Sequence, residues 1–169
     1  MARGAQTPGL RPFLPADAAT LAALFRASVE ALAAEDYDDA KREAWAYAAA
    51  DEPAFASRLA DALSIVALVD GDIAGFASLR DNKMFDMLYV RPDMARKGVG
   101  SALAEAIEKL AAARGATVLT VEASDAAQDF FAARGYVATT RNMKTVAGQW
   151  LGNTTMTKEL AAPAVGRAH

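Results

Sequence analysis

The chain has 169 residues, 53% of them hydrophobic and 23% charged, enough for one domain with a sizeable core and too few for a second independent one. A net charge of -3 and a pI near 5.2 disfavour a broad electrostatic grip on nucleic acid or on an anionic membrane. There is no cysteine, and the single histidine is the last residue, His169. Disulfides, thiolate metal sites, cysteine nucleophiles and histidine triads therefore lose their key side chain, and no metal is expected.

The opening stretch MARGAQTPGLRP is punctuated by Pro and Gly and carries no apolar signal core. No apolar run approaches membrane-spanning length, so the chain reads as cytoplasmic, without a membrane partner. A short strand is expected over residues 10–14. Asp17 follows as a helix N-cap, before Leu21, Leu24, Phe25 and Val29 at helical spacing. A second helical region follows the acidic stretch AEDYDDAKREAWAYAAADEP and continues to about Leu63. Then the period changes. SIVALVD, IAGFASLR and MFDMLYVR are three apolar runs joined at Asp70-Gly71-Asp72 and Asp81-Asn82-Lys83, which predicts an antiparallel meander. Leu103, Ile107, Leu110 and Ala111 mark one face of a helix over residues 101–114, with Gly115 placed to cap it. ATVLTVEA reads as a buried strand, DAAQDFFAARG as a helix, and YVATTRNMKTV with TTMTKEL as a final pair of strands. The predicted fold class is α/β (α+β), one mixed, mostly antiparallel twisted sheet of six to seven strands with about four helices. It forms a single domain over residues 1–169 with its core at about 10–160, and the tail AAPAVGRAH is expected to fray.

One loop stands out. After the strand ending at Val90 come Arg96, Lys97, Gly98 and Gly100, and a helix begins within a residue or two. Free N–H groups at a helix start, the helix dipole and glycines that let a bulky group approach the main chain suit an anion, above all a diphosphate. A dinucleotide fingerprint would need a third glycine where Leu103 stands, and the Lys-Ser/Thr ending of a P-loop is missing. By spacing alone, a tight turn with close helix packing explains the glycines equally well.

LYVRPDMARKGVGSALAEAIEKLAAARGATVLTVEAS, followed by AAQDFFAARGYV, resembles the GCN5-related N-acetyltransferase (GNAT) superfamily, and the resemblance runs over residues 10–160. DMLYVRP, the FFAARGY ending and DYDDAKREAWA resemble a bacterial branch with YafP-like acetyltransferases. The superfamily's Gln/Arg-x-x-Gly-x-Gly/Ala signature falls on residues 95–100, with Ala95 in the first place. The resemblance implies a GNAT fold splayed between strands 4 and 5 and acetyl-CoA as co-substrate. It implies that the backbone of Leu88, Tyr89 and Val90 pairs with the pantetheine arm. Amides of Arg96, Lys97, Gly98, Val99, Gly100, Ser101 and Ala102 would hold the pyrophosphate.

Acetyl transfer needs a deprotonated amine, a polarised carbonyl and, often, an acid for the departing thiolate. Asp86 is the candidate base. Period-two alternation puts it on the face of Leu88 and Val90, with Met87 and Tyr89 opposite; orienting a cationic acceptor is its other reading. Where the superfamily often has Asn and an acid Tyr, this chain has Ser124 and Phe131, so thiolate release is left to water, to a tyrosine such as Tyr89, or to no acid at all. Ser124 and Phe131 are expected beside the cofactor, or Phe131 only in the core. Tyr37, Trp45, Asp86 and Trp150 are candidate acceptor walls, and Glu35, Asp36, Asp38 and Asp39 could draw in a cationic amine or merely face solvent. The expected function is acetyl transfer to an amine of a small molecule or peptide, small molecule favoured. An acyl-CoA sensor without turnover is the alternative, and the final strands could pair two chains into a homodimer.

Overall fold

The computed structural model describes residues 7–32 and 34–161. The extreme termini, including His169 and most of the tail expected to fray, lie outside the described residues. Among the described residues seven strands are formed, β1 (Gly9–Pro12), β2 (Leu63–Val69), β3 (Asp72–Arg80), β4 (Met84–Val90), β5 (Val118–Ser124), β6 (Val137–Val146) and β7 (Gln149–Glu159). Among the described residues the helices are α1 (Ala18–Leu32), α2 (Asp39–Ala46), α3 (Glu52–Asp61), α4 (Val99–Ala113) and α5 (Gln128–Ala133). The strands make one sheet in the order β1-β2-β3-β4-β5-β7-β6. Every pairing is antiparallel except that of β4 with β5. This is the mixed, mostly antiparallel sheet that the hydrophobic periods predict.

Helices cover both faces. Val99, Leu103, Ala104, Ile107 and Ala111 of α4 are buried in one cluster with Ala77, Phe85, Leu119 and Phe131. Leu21, Phe25 and Val29 of α1 and Phe55 and Leu59 of α3 pack with Phe76 and Met87 on the opposite face. The close seat of α4 depends on Gly75, where a Cβ would stand 2.8 Å from the Tyr89 carbonyl oxygen and 3.1 Å from Leu103 and Val99 side chains.

Among the described residues there are five helices where about four are expected, because the second helical region breaks. A 3-10 turn at Tyr47–Ala49 ends α2, and α3 starts afresh at the Asp51 cap, whose side chain accepts the Ala54 N–H at 3.0 Å. Asp17 also differs from expectation. It closes a 3-10 turn ahead of α1, accepts the Leu14 N–H at 2.8 Å and pairs with Arg11 at 2.8 Å. The last strand is longer than its apolar run, because a turn at Ala147 and Gly148, both at positive φ, starts β7 at Gln149.

Glu108 on α4 ties the C-terminal half together. Its carboxylate accepts hydrogen bonds from Arg134 (2.9 and 3.2 Å), the Tyr136 hydroxyl (3.0 Å) and Lys158 (3.0 Å). Burial pushes its pKa up, but the hydrogen bonds from Arg134, Lys158 and Tyr136 outweigh that and hold it below the ordinary glutamate value. Its contribution to stability is therefore full above the unfolded value of about 4.3 and is lost as pH falls through the lower folded value. Glu108→Gln should cost about 2 kcal/mol near neutral pH, as expected for losing hydrogen bonds to a charged group. In chemical denaturation the gap between the two proteins should begin to shrink as pH falls below the unfolded value of about 4.3 and close only below the lower folded value.

Candidate active site

The parallel contact of β4 with β5 is brief. Met84 pairs with Thr120 and Phe85 with Val121, and beyond Phe85 the strands part. From that point the β4 edge facing β5 has no strand partner, although its other edge stays paired with β3 as far as Val90. A cleft of ≈ 390 Å³ opens there. Buried main-chain groups demand partners, so this open edge suits an extended chain laid along it.

Several of the sequence-predicted residues meet in this cleft. Asp86, Leu88 and Tyr89 line it from β4, Ser124 and Phe131 from the far side, and Tyr37 and Trp45 from the helical side. Tyr37 is buried and also pins the far wall, because its hydroxyl donates to the Gly152 carbonyl at 2.7 Å and accepts the Asp125 N–H at 2.8 Å. Burial raises its pKa, with the hydrogen bond from the Asp125 amide opposing. Tyr89 packs its ring against Phe25, Trp45 and Phe76, with centroids 4.6, 6.3 and 5.6 Å away. That burial pushes its phenol up to about 12. Phe131 is a core residue with a face on the cleft, edge-on to Phe85, Phe130 and Tyr136.

Trp150 does not join them. It is 61% exposed on β7 opposite Thr145, outside the cleft lining, because the early start of β7 turns it outward. Glu35, Asp36, Asp38 and Asp39 are likewise exposed and absent from the lining. Asp38 caps α2 by accepting the Lys41 N–H at 2.9 Å, and Asp39 pairs with Arg42.

Asp86 lies on the face opposite to that predicted by simple alternation. Ser78 pairs with Met87 and Leu79 with Phe85, so Asp86 is the extra residue of a β-bulge. The bulge shifts the period by one. Phe85, Leu88 and Val90 pack on the α4 side and Met87 and Tyr89 on the α1 side, while Asp86 meets Arg58 of α3. Both of its oxygens accept from Arg58, at 2.9 and 3.1 Å, and Arg80 lies 3.6 Å away. The Asp86 side chain is 6% exposed, against 45% for Arg58 and 51% for Arg80. Sequence reasoning missed both arginines, and also Glu122 and Lys144, which line the cleft mouth 3.8 Å apart. Arg58 sits beside the apolar stripe of its helix and Arg80 at a strand end, where a cation carries no distinguishing signal.

The glycine loop leads into α4. Gly98 is its N-cap, at φ +84°, with no side-chain capping bond, and Arg96 is also left-handed, at φ +63°. The first helical bond runs from the Ala102 N–H to the Gly98 carbonyl at 3.0 Å. Val99, Gly100 and Ser101 therefore present the free amides of the first turn, whereas Ala102, expected among the phosphate-binding amides, has spent its own. Val99 contributes only main chain, since its side chain is in the core. A Cβ at Gly98 would meet nothing within 4 Å, and one at Gly100 nothing nearer than 3.5 Å, so approach to these amides is clear. Among the described residues no three His, Asp or Glu side chains gather as a metal site.

Residues 33–160 match the family of the acetyltransferase (GNAT) domain. The chain belongs to this family. It is 32% identical over 144 residues to the "Uncharacterized N-acetyltransferase YafP" of Escherichia coli (strain K12), covering 85% of this chain and 91% of that one. A solved structure from Rhodopseudomonas palustris, described as "GCN5-Related N-acetyltransferase: Aminotransferase, Class-II", is 54% identical with a TM-score of 0.92, covering 95% of this GNAT chain and 100% of that chain. The PaiA N-acetyltransferase of Thermoplasma acidophilum, solved with coenzyme A, shares the fold at 20% identity and a TM-score of 0.75, over 91% of this chain and 99% of its own.

Asp86→Asn removes the charge that holds Arg58. Because Arg58 is nearly half exposed, solvent screens the loss, and the expected cost is about 1 kcal/mol in urea denaturation. A cost above that of core truncations would mean that the pair supports the sheet rather than the cleft.

Proposed function

We propose that this GNAT chain transfers the acetyl group of acetyl-CoA to the amine of a small molecule by direct attack in a ternary complex. The observation that carries the reading is the open edge of β4 lying next to the uncapped first turn of α4. Leu88, Tyr89 and Val90 offer main-chain groups to the pantetheine arm, and amides from Arg96 to Ser101, with the cationic side chains of Arg96 and Lys97, offer a seat for the pyrophosphate. Ser124 and Phe131 lie at the far wall.

In the transfer the amine lone pair forms the N–C bond, the C–S bond breaks, its electron pair leaves on the CoA sulfur, and the proton lost by the amine passes to water and, in net, to the thiolate. A main-chain N–H of the Leu88 to Val90 segment is suited to polarise the carbonyl. Asp86 shares its lone pairs with Arg58, which favours a role in orienting the acceptor over that of free base. The roof made by Phe25, Tyr37 and Trp45 favours a compact acceptor over a peptide. A cytoplasmic enzyme free of membrane and nucleic acid fits the same reading, and pairing through β6 remains the route to a homodimer.

The test is calorimetric titration with acetyl-CoA, beside a Gly98→Glu protein carrying a carboxylate at the phosphate seat and a strained left-handed residue. Binding by the parent chain, weakened at least tenfold in the variant, is the expected result. No binding to the parent chain rejects the reading, and binding without CoA release on adding amines would favour a sensor.

A further inference from the structure

We propose that the acceptor carries an anionic group, a carboxylate, phosphonate or sulfonate, close to its reacting amine. The inference rests on the acetyltransferase reading above and concerns the charge at the cleft mouth. Three cations, Arg58, Arg80 and Lys144, line the cleft with two carboxylates, Asp86 and Glu122. The balance is positive.

The charges are also unevenly committed. Arg58 gives Nε and one Nη2 hydrogen to Asp86, which fixes the plane of its guanidinium and leaves the Nη1 edge without an acceptor among the described residues. Arg80 Nη1 stands 3.6 Å from Asp86, beyond hydrogen-bond reach, and among the described residues its guanidinium donates to no protein group. Lys144 and Glu122 are a loose pair at 3.8 Å. Each Asp86 oxygen is thus already engaged by one arginine, while a second arginine stands beside it with its donors unused.

Elsewhere a solvated arginine would need no explanation. Here Phe25, Tyr37, Trp45 and Tyr89 share the lining, so an acceptor seated against the guanidinium groups displaces part of the water that serves these donors. A neutral or purely cationic amine would then leave a guanidinium partly desolvated and unpaired, which is unfavourable, whereas an anionic group meets a planar fork of donors. The acidic residues that could have drawn in a cation, Asp36, Asp38 and their neighbours, lie outside the cleft.

Acetyl-CoA binding is measured first, by calorimetry, so that failure of the underlying reading is recognised by itself. CoA release is then compared between matched amines: L-amino acids against their α-amides, and 2-aminoethylphosphonate and taurine against ethanolamine. The expected result is at least a tenfold higher kcat/KM for one class of anionic amine, set mainly by KM, as for a charge-assisted hydrogen bond. Arg80→Gln, at an exposed site that threatens no packing, should shrink that preference about tenfold, and Arg58→Lys, which keeps the charge but loses the fork, should shrink it too. With acetyl-CoA bound, equal rates across the pairs, faster neutral partners, silence from every anionic amine, or a preference unmoved by Arg80→Gln overturns the inference.

Discussion

The parting of β4 and β5 after two residue pairs is the constraint on which the rest depends. A sheet interior does not give up main-chain pairing without cause, because unpaired buried N–H and C=O groups are expensive. Here the loss is confined to one side of each strand. β4 keeps β3 and β5 keeps β7 as outer partners, so the two halves of the sheet stay rigid while the gap opens. Tyr37 spans the helical side and holds both Gly152 of β7 and the Asp125 amide beyond β5. One buried hydroxyl thus fixes the far wall from two directions. On the near side Gly75 lets α4 settle close to β3, which brings the free amides of the helix start beside the open edge.

Two ionic clusters divide the remaining work. Glu108 collects Arg134 and Tyr136 from the stretch between α5 and β6 and Lys158 from β7, and nothing in that group lines the cleft. It also explains the Ala-Arg-Gly-Tyr ending of α5: arginine and tyrosine address the same carboxylate, and the glycine between them adopts a positive φ of 94°. Asp86 serves the opposite purpose. It sits where the sheet bulges, held by a residue from a different layer, and so joins α3 to the mouth of the cleft.

The sheet and α4 were legible in the sequence because their signals are local: alternating apolar runs, Asp-Gly and Asp-Asn turns, and a helical stripe from Leu103 to Ala111. The Gly-x-Gly loop was legible for the same reason. What alternation could not supply was the bulge at Asp86, since one extra residue in a strand leaves the hydrophobic count of MFDMLYV unchanged while reversing the face of everything before it. Nor could it place Trp150, whose strand begins at a Val-Ala-Gly-Gln stretch in which a non-glycine residue, Ala147, takes φ +46°. Between Arg58 and Arg80 lie the end of α3, the whole of β2 and the length of β3, and only the fold brings them to one carboxylate.

Phe131 and Tyr89 together limit how the leaving sulfur can be served. Phe131 has no proton to give, and its packing between Phe85 and Tyr136 makes it a structural ring with one face on the cleft. Tyr89 has a proton, but its burial among Phe25, Trp45 and Phe76 holds its phenol at about 12. An ordinary thiol has a pKa of about 8.5, so full proton transfer from Tyr89 to a thiolate would run uphill by more than three decades. A hydrogen bond donated without transfer has no such cost. Under the proposed transfer, a phenol held neutral would suit that role, and the sulfur would leave as an anion to be protonated by water.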